Sequence, residues 1–117
     1  QRAHAIRKRL PQAMAQQPKI LLLDEPTVHL DIHHQTRLFR ILRDWNQGGN
    51  LSIAVISHDI NIASLYCKRL VLMHEGRIKK EGIPKEVVTE QNLKEVYGID
   101  VQVITSSQTG QPAILFK

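Results

Sequence analysis

The sequence predicts an α/β fold with mainly parallel core strands, followed by a β-hairpin and short terminal helices. Three observations carry that reading. The first is Ile20-Leu21-Leu22-Leu23, a continuous apolar run that leads straight into Asp24, Glu25 and Pro26. Such a run fits a strand buried on both faces, as in a parallel sheet, and Pro26 forbids helical continuation at Glu25. The second is Leu51 to Ile56, LSIAVI, a run of the same character that ends in Ser57-His58-Asp59. The third lies between them: Leu38, Ile41, Leu42 and Trp45 recur at three- and four-residue steps and make one apolar helical stripe.

Composition bounds the rest. At 117 residues the chain is at most one domain, and 42% hydrophobic residues can supply a core. One cysteine, Cys67, rules out an intramolecular disulfide and suits a reducing compartment. No apolar run approaches the length of a membrane span. The net charge of +5 is local: Arg2, Arg7, Lys8 and Arg9 lie in an acid-free amino end, and the remainder is close to neutral. Without aromatic residues interleaved to stack on bases, this charge does not argue for a nucleic-acid partner.

In chain order, residues 1–17 read as helix in two pieces, because Pro11 interrupts one continuous helix and Pro18 ends the second piece. The first strand then delivers Asp24 and Glu25 to its carboxyl edge, where open α/β sheets place ligands. Adjacent strand residues point to opposite faces, so two neighbouring acids can serve two different atoms of one ligand. Asp31 is a suitable N-cap for a helix over Ile32–Gln47, which Gly48-Gly49 ends. His29, His33 and His34 cluster at its start and read as exposed side chains, since a metal site would need a further fixed ligand. After the second strand, Asp59 to Cys67 reads as a short helix with Ile60, Ala63, Leu65 and Tyr66 among its buried positions. Arg69–Met73 and Arg77–Lys80 form a hairpin about Glu75-Gly76. Pro84 opens a helix through Val88, Asn92–Tyr97 makes another turn or two closed by Gly98, and Val101–Ile104 pairs with Ala113–Phe116.

The Ser57-His58-Asp59 run has several chemical readings. A nucleophilic triad fails on geometry, because triad members must converge and adjacent strand residues diverge. A metal-phosphohydrolase His-Asp pair needs further His and Asp ligands that are not evident. A packed core histidine and a ligand-facing one both stay open on these residues alone.

Further residues carry a resemblance. Ile20-Leu21-Leu22-Leu23-Asp24-Glu25 resembles the Walker B segment of ATP-binding-cassette (ABC) ATPases, a class of P-loop NTPases, and Leu30-Asp31 after Pro26-Thr27 resembles their D-loop. His58, placed one helix and one strand later, resembles the switch histidine of the H-loop. Ala13-Met14-Ala15-Gln16-Gln17-Pro18 is similar to the end of the helix that follows the signature motif. Gln1-Arg2 resembles the close of that signature at a longer distance than usual, so either an insertion or an altered sequence lies here and no signature residue is assigned. The stretch VISHDINIASLYCKRLVLMHEGRIKKEGIPKEVV is similar to importer-type members. Leu30-Asp31-Ile32 with Gln35 three residues on, His58 to Ala63 and Leu93 to Ile99 look most like the ATPase subunits of iron-siderophore, haem and cobalamin uptake. Val28 departs from the pattern, standing where a small, often hydroxylated residue is usual.

The resemblance implies that residues 1–117 are the carboxy-terminal portion of a nucleotide-binding domain, with Walker B, D-loop and H-loop present and Walker A and Q-loop absent. It implies ATP as substrate and Mg2+ as cofactor. Asp24 would hold the metal through water, Glu25 would act as general base, His58 would contact the γ-phosphate, and Asp31 would couple two protomers. The implied partners are a second ATPase subunit, transmembrane permease subunits and, through them, a substrate-binding protein, at the cytoplasmic face of the cell membrane. Without a phosphate loop the chain by itself is expected not to hydrolyse ATP. Two other classes compete: a degenerate cassette domain acting as an interaction module, and a soluble ABC ATPase of DNA repair or translation.

Overall fold

The computed structural model describes residues 18–117, so the helix expected over residues 1–17 lies outside the described residues. The described residues divide into two compact units, one on each side of the His58–Asp59 junction.

In the first unit, β1 (Ile20–Asp24) and β2 (Ser52–Ile56) pair in parallel, with Leu22 opposite Ala54 and Asp24 opposite Ile56. Helix α1 (Ile32–Gln47) connects them, as parallel pairing requires. It starts where the Asp31 side chain accepts the His34 N–H, and the Gly48 N–H closes it on the Asp44 carbonyl. Leu38 and Leu42 pack with Leu21 and Leu51, and Leu23, Trp45, Ile53 and Val55 close around them. Phe39, outside the expected stripe, is also buried.

One expectation is corrected. The strands are not buried on both faces: Ile20, Leu22 and Ile56 are 66%, 74% and 60% exposed. The reason is the two-residue alternation of strand side chains. Leu21, Leu23, Ile53 and Val55 share the core-facing side with α1, while Ile20, Leu22 and Ile56 point the other way, where no helix packs among the described residues.

The second unit begins with α2 (Ile60–Tyr66), capped by Asp59. Strands β3 (Leu70–His74) and β4 (Arg77–Gly82) form an antiparallel hairpin. Glu75 (φ 52°) and Gly76 (φ 74°) make its two-residue turn, and positive φ at both positions matches the right-handed strand twist. Helix α3 (Pro84–Val87) and helix α4 (Glu90–Tyr97) follow. The latter begins two residues earlier than expected because the Thr89 hydroxyl accepts the Asn92 N–H at 3.0 Å and caps it. Strands β5 (Val101–Thr105) and β6 (Pro112–Phe116) form a second antiparallel hairpin. The core joins Leu70, Leu72, Val87, Val88, Leu93, Val96, Val101 and Ile114.

Helix α2 holds a second correction. Leu65, expected inside, is 42% exposed, and Ser64 is the fully buried residue of the helix. Ile60 and Ala63 pack against the core as expected. A serine is tolerated there because its hydroxyl donates to the Pro112 carbonyl at 2.6 Å, so its burial leaves no polar atom unsatisfied.

Candidate active site

The site grows from the two carboxyl ends of the parallel pair. Asp24 is the last residue of β1, on the exposed side with Ile20 and Leu22. Glu25 keeps a ladder bond, its N–H donating to the Ile56 carbonyl at 2.8 Å, but its φ is 48°. A left-handed conformation is uncommon in a residue with a Cβ, and such outliers concentrate at functional sites. The positive φ breaks the strand alternation at Glu25 and turns the chain into a loop. Pro26 and Thr27 are buried beneath that loop. The Val28 N–H donates to the Glu25 carbonyl and the Leu30 N–H to the Thr27 carbonyl. The Gln35 amide, from the first turn of α1, holds the Leu30 carbonyl at 3.0 Å.

From the end of β2, His58 reaches the same place. Its Nε2 meets Glu25 Oε1 as a hydrogen-bonded pair. The His58 side chain is 84% exposed and the Glu25 side chain 26%. His58 is therefore not a packed core histidine. The triad reading also falls, since Asp59 Oδ1 accepts the Ile62 N–H at 3.0 Å and caps α2. Asp24 and Glu25 bring carboxylate oxygens to one strand end, the hard donor chemistry that magnesium accepts with one protein ligand and several waters.

Asp31 lies apart from this pair, at the start of α1. Its Oδ1 accepts the His34 N–H at 2.9 Å and lies 2.8 Å from His34 Nδ1. These bonds, the backbone one first, hold the Asp31 carboxyl below the usual carboxylate range. A depressed folded-state pKa contributes stability above the unfolded value and loses it as pH falls through the folded one. Asp31→Asn, which caps without titrating, is therefore expected to lose less of its unfolding midpoint than the parent when pH is lowered through the carboxylate range. Parallel thermal melts followed by circular dichroism check this; equal losses would refute it. Around Asp31, His29 and His33 are exposed, His34 is half-buried, and the His33 and His34 rings meet edge to face at 5.5 Å. Among the described residues no group of three or more His, Cys, Asp or Glu is arranged to hold a metal.

The structure thus brings Glu25 and His58 together, with Asp24 beside them in the chain, and leaves Asp31 a helix cap. Sequence reasoning missed the brace from Gln35 and the left-handed turn at Glu25. No local signal announced that turn, since a following proline favours extended backbone for the residue before it, not the left-handed φ of 48° found at Glu25.

Comparison with known proteins gives relatives for the chain. No family model matches the chain. The hemin import ATP-binding protein HmuV of Escherichia coli O157:H7 is 43% identical over 98 residues, covering 84% of this chain and 38% of that protein. The ferric enterobactin transport ATP-binding protein FepC of Escherichia coli strain K12 is 37% identical over 102 residues, covering 87% of this chain and 38% of that protein. In structure, the chain matches an inward-facing ABC transporter described as of metal-chelate type with a TM-score of 0.75 at 24% identity, over 88% of this chain and 42% of that one. The fold is therefore that of the ABC ATPase domains it matches. The chain belongs with the ATP-binding proteins of ABC transporters, among which its relatives include those named for hemin import and ferric enterobactin transport. It spans well under half the length of these relatives.

Proposed function

We propose that this chain is part of the ATP-hydrolysing subunit of an ABC importer that takes up an iron complex, haem or a cobalamin-like solute. The observation that carries the reading is the Glu25–His58 pair at the carboxyl ends of two adjacent parallel strands, beside Asp24. Bound Mg2+ would supply charge neutralisation at the phosphates, and Asp24 is the residue that would hold it, through water. Glu25 orients the attacking water and accepts its proton. His58, joined to Glu25 through Nε2 and largely exposed, would contact the γ-phosphate and keep the carboxylate aimed. Asp31, at the end of the braced loop, is the residue through which this protomer would meet a second copy.

The names of the relatives support the solute class, and their place in ABC transporters supports a permease partner and, through it, a substrate-binding protein. Among the described residues no helix is long and apolar enough to cross a membrane, which accords with a subunit held to the cytoplasmic face by its permease. The test uses the complete subunit co-expressed with the membrane proteins encoded beside it. Recovery of an ATPase in complex with a permease, with phosphate release abolished by EDTA and stimulated by a haem- or siderophore-loaded binding protein, is the expected result. A magnesium-dependent ATPase never recovered with a permease would overturn the importer reading.

A further inference from the structure

The loop that joins the end of β1 to the cap of α1 holds two residues with a Cβ in the left-handed region, Glu25 (φ 48°) and His29 (φ 72°). At Glu25 the conformation is doubly unfavourable, because Pro26 steers the residue before it toward extended backbone. Such conformations persist only where the surroundings over-determine them. The positive φ is also what carries Glu25 out of the strand alternation and into contact with His58. What holds this loop therefore holds the aim of Glu25.

A run of hydrogen bonds pins the loop between β2 and α1. The Glu25 N–H donates to the Ile56 carbonyl at 2.8 Å, the Val28 N–H to the Glu25 carbonyl at 3.2 Å and the Leu30 N–H to the Thr27 carbonyl at 3.0 Å. The two turns overlap at Thr27 and Val28, so a rotation in one is passed to the other. Pro26 and Thr27 are buried and leave the middle of the loop little room to absorb it. The run then closes on a side chain: Gln35 Nε2 donates to the Leu30 carbonyl at 3.0 Å. The first three bonds join backbone groups, which most residues supply, whereas the last depends on the identity of residue 35. Gln35 is a firm anchor, since it stands on α1, whose Leu38 and Leu42 are packed in the core. All of these residues, His58 included, lie in the first compact unit.

Resting on the reading of Glu25 given above, we propose that Gln35 is a positioning residue for Glu25: its amide clamps the carbonyl that closes the loop and keeps the left-handed turn at Glu25 from relaxing. The Leu30 side chain stays packed against the core without that amide, so breaking the clamp loosens the loop backbone and leaves the unit folded. Small misplacements of a catalytic group cost large factors in rate. A carbonyl can only accept, so what the loop asks of residue 35 is a donor.

The test uses the complete subunit. Gln35→Glu keeps the size of the side chain and removes the donor at neutral pH, Gln35→Ala removes both, and Gln35→Arg keeps a planar N–H donor. The first two are expected to lower kcat for ATP by about 10- to 100-fold with KM within about twofold of the parent, and Gln35→Arg to stay within about threefold of the parental kcat. The paired readout is the His58 imidazole resonance in protein carrying 13C-labelled histidine, assigned by its loss in His58→Ala. It senses contact with Glu25 whatever the turnover. Gln35→Glu and Gln35→Ala should move it toward its position in Glu25→Ala, and Gln35→Arg should leave it in place. An unmoved resonance in the first two overturns the proposal whatever kcat does. An equal shift in Gln35→Arg overturns it too, since a donor at residue 35 would then not be what matters. A moved resonance with parental kcat, where Glu25→Gln is inactive, is equally fatal. If Gln35→Ala unfolds the subunit, the isosteric Gln35→Glu carries the same comparison. If Glu25→Gln keeps parental turnover, the assigned role of Glu25 fails, and the resonance still decides whether Gln35 holds Glu25 in place.

Discussion

Replacing Glu25 by Gln in the complete subunit is expected to preserve ATP binding and lower turnover by about 10² to 10⁴, the usual cost of removing a positioned general base. The substitution is chosen to change one thing. Glutamine keeps the size and planarity of the side chain, and one end of its amide can still meet His58 Nε2, so the pair at the strand ends stays in place. The backbone N–H of residue 25 remains bonded to the Ile56 carbonyl, and the left-handed turn before Pro26 is no harder for Gln than for Glu. What the amide lacks is basicity: it cannot accept a proton from water at neutral pH. Phosphate release and nucleotide binding measured on the same preparation check the outcome. Turnover within a few-fold of the parent would show that another group takes the proton.

His58→Ala is expected to lower turnover by about 10²-fold while leaving the unfolding midpoint near the parent value. The structural ground is exposure. Truncating a buried side chain leaves a cavity that costs roughly 2 to 5 kcal/mol, but the His58 side chain is 84% exposed and leaves no such cavity. Loss of activity without loss of stability is the signature of a group that works on a ligand. The double variant Glu25→Gln/His58→Ala should lose much less than the product of the two single effects, because groups that act as one unit are not additive. A large drop in midpoint with activity retained would mean that the histidine holds the structure instead. Fully multiplicative losses would mean that the Glu25–His58 contact has no part in turnover.

Much of this protein was legible one segment at a time. The apolar run ending in Asp24, the stripe on α1, the caps at Asp31 and Asp59, Pro84 at the head of α3 and Gly98 at the foot of α4 all declare themselves within a few residues, because propensity, capping and turn chemistry are local. The positions of Asp24, Glu25 and His58 at strand ends were legible for the same reason. The burial of those strands was not. An apolar run states what a strand could bury, and only the packing of α1 on one side decides that Leu21 is inside while Leu22, its neighbour, is exposed.

The contacts that join distant segments were decided by tertiary structure alone. Asn61 is marked in the sequence only as part of the His58–Ala63 resemblance and Ser64 is not marked at all, yet they carry hydrogen bonds to residues 53 and 48 positions further on. Such pairings leave no periodic trace in the chain. The meeting of Glu25 with His58 is of the same kind. Sequence determined that an acid and a histidine would stand at the ends of two strands; the parallel register, with Asp24 opposite Ile56, and the positive φ that swings Glu25 out of the strand decided that they touch.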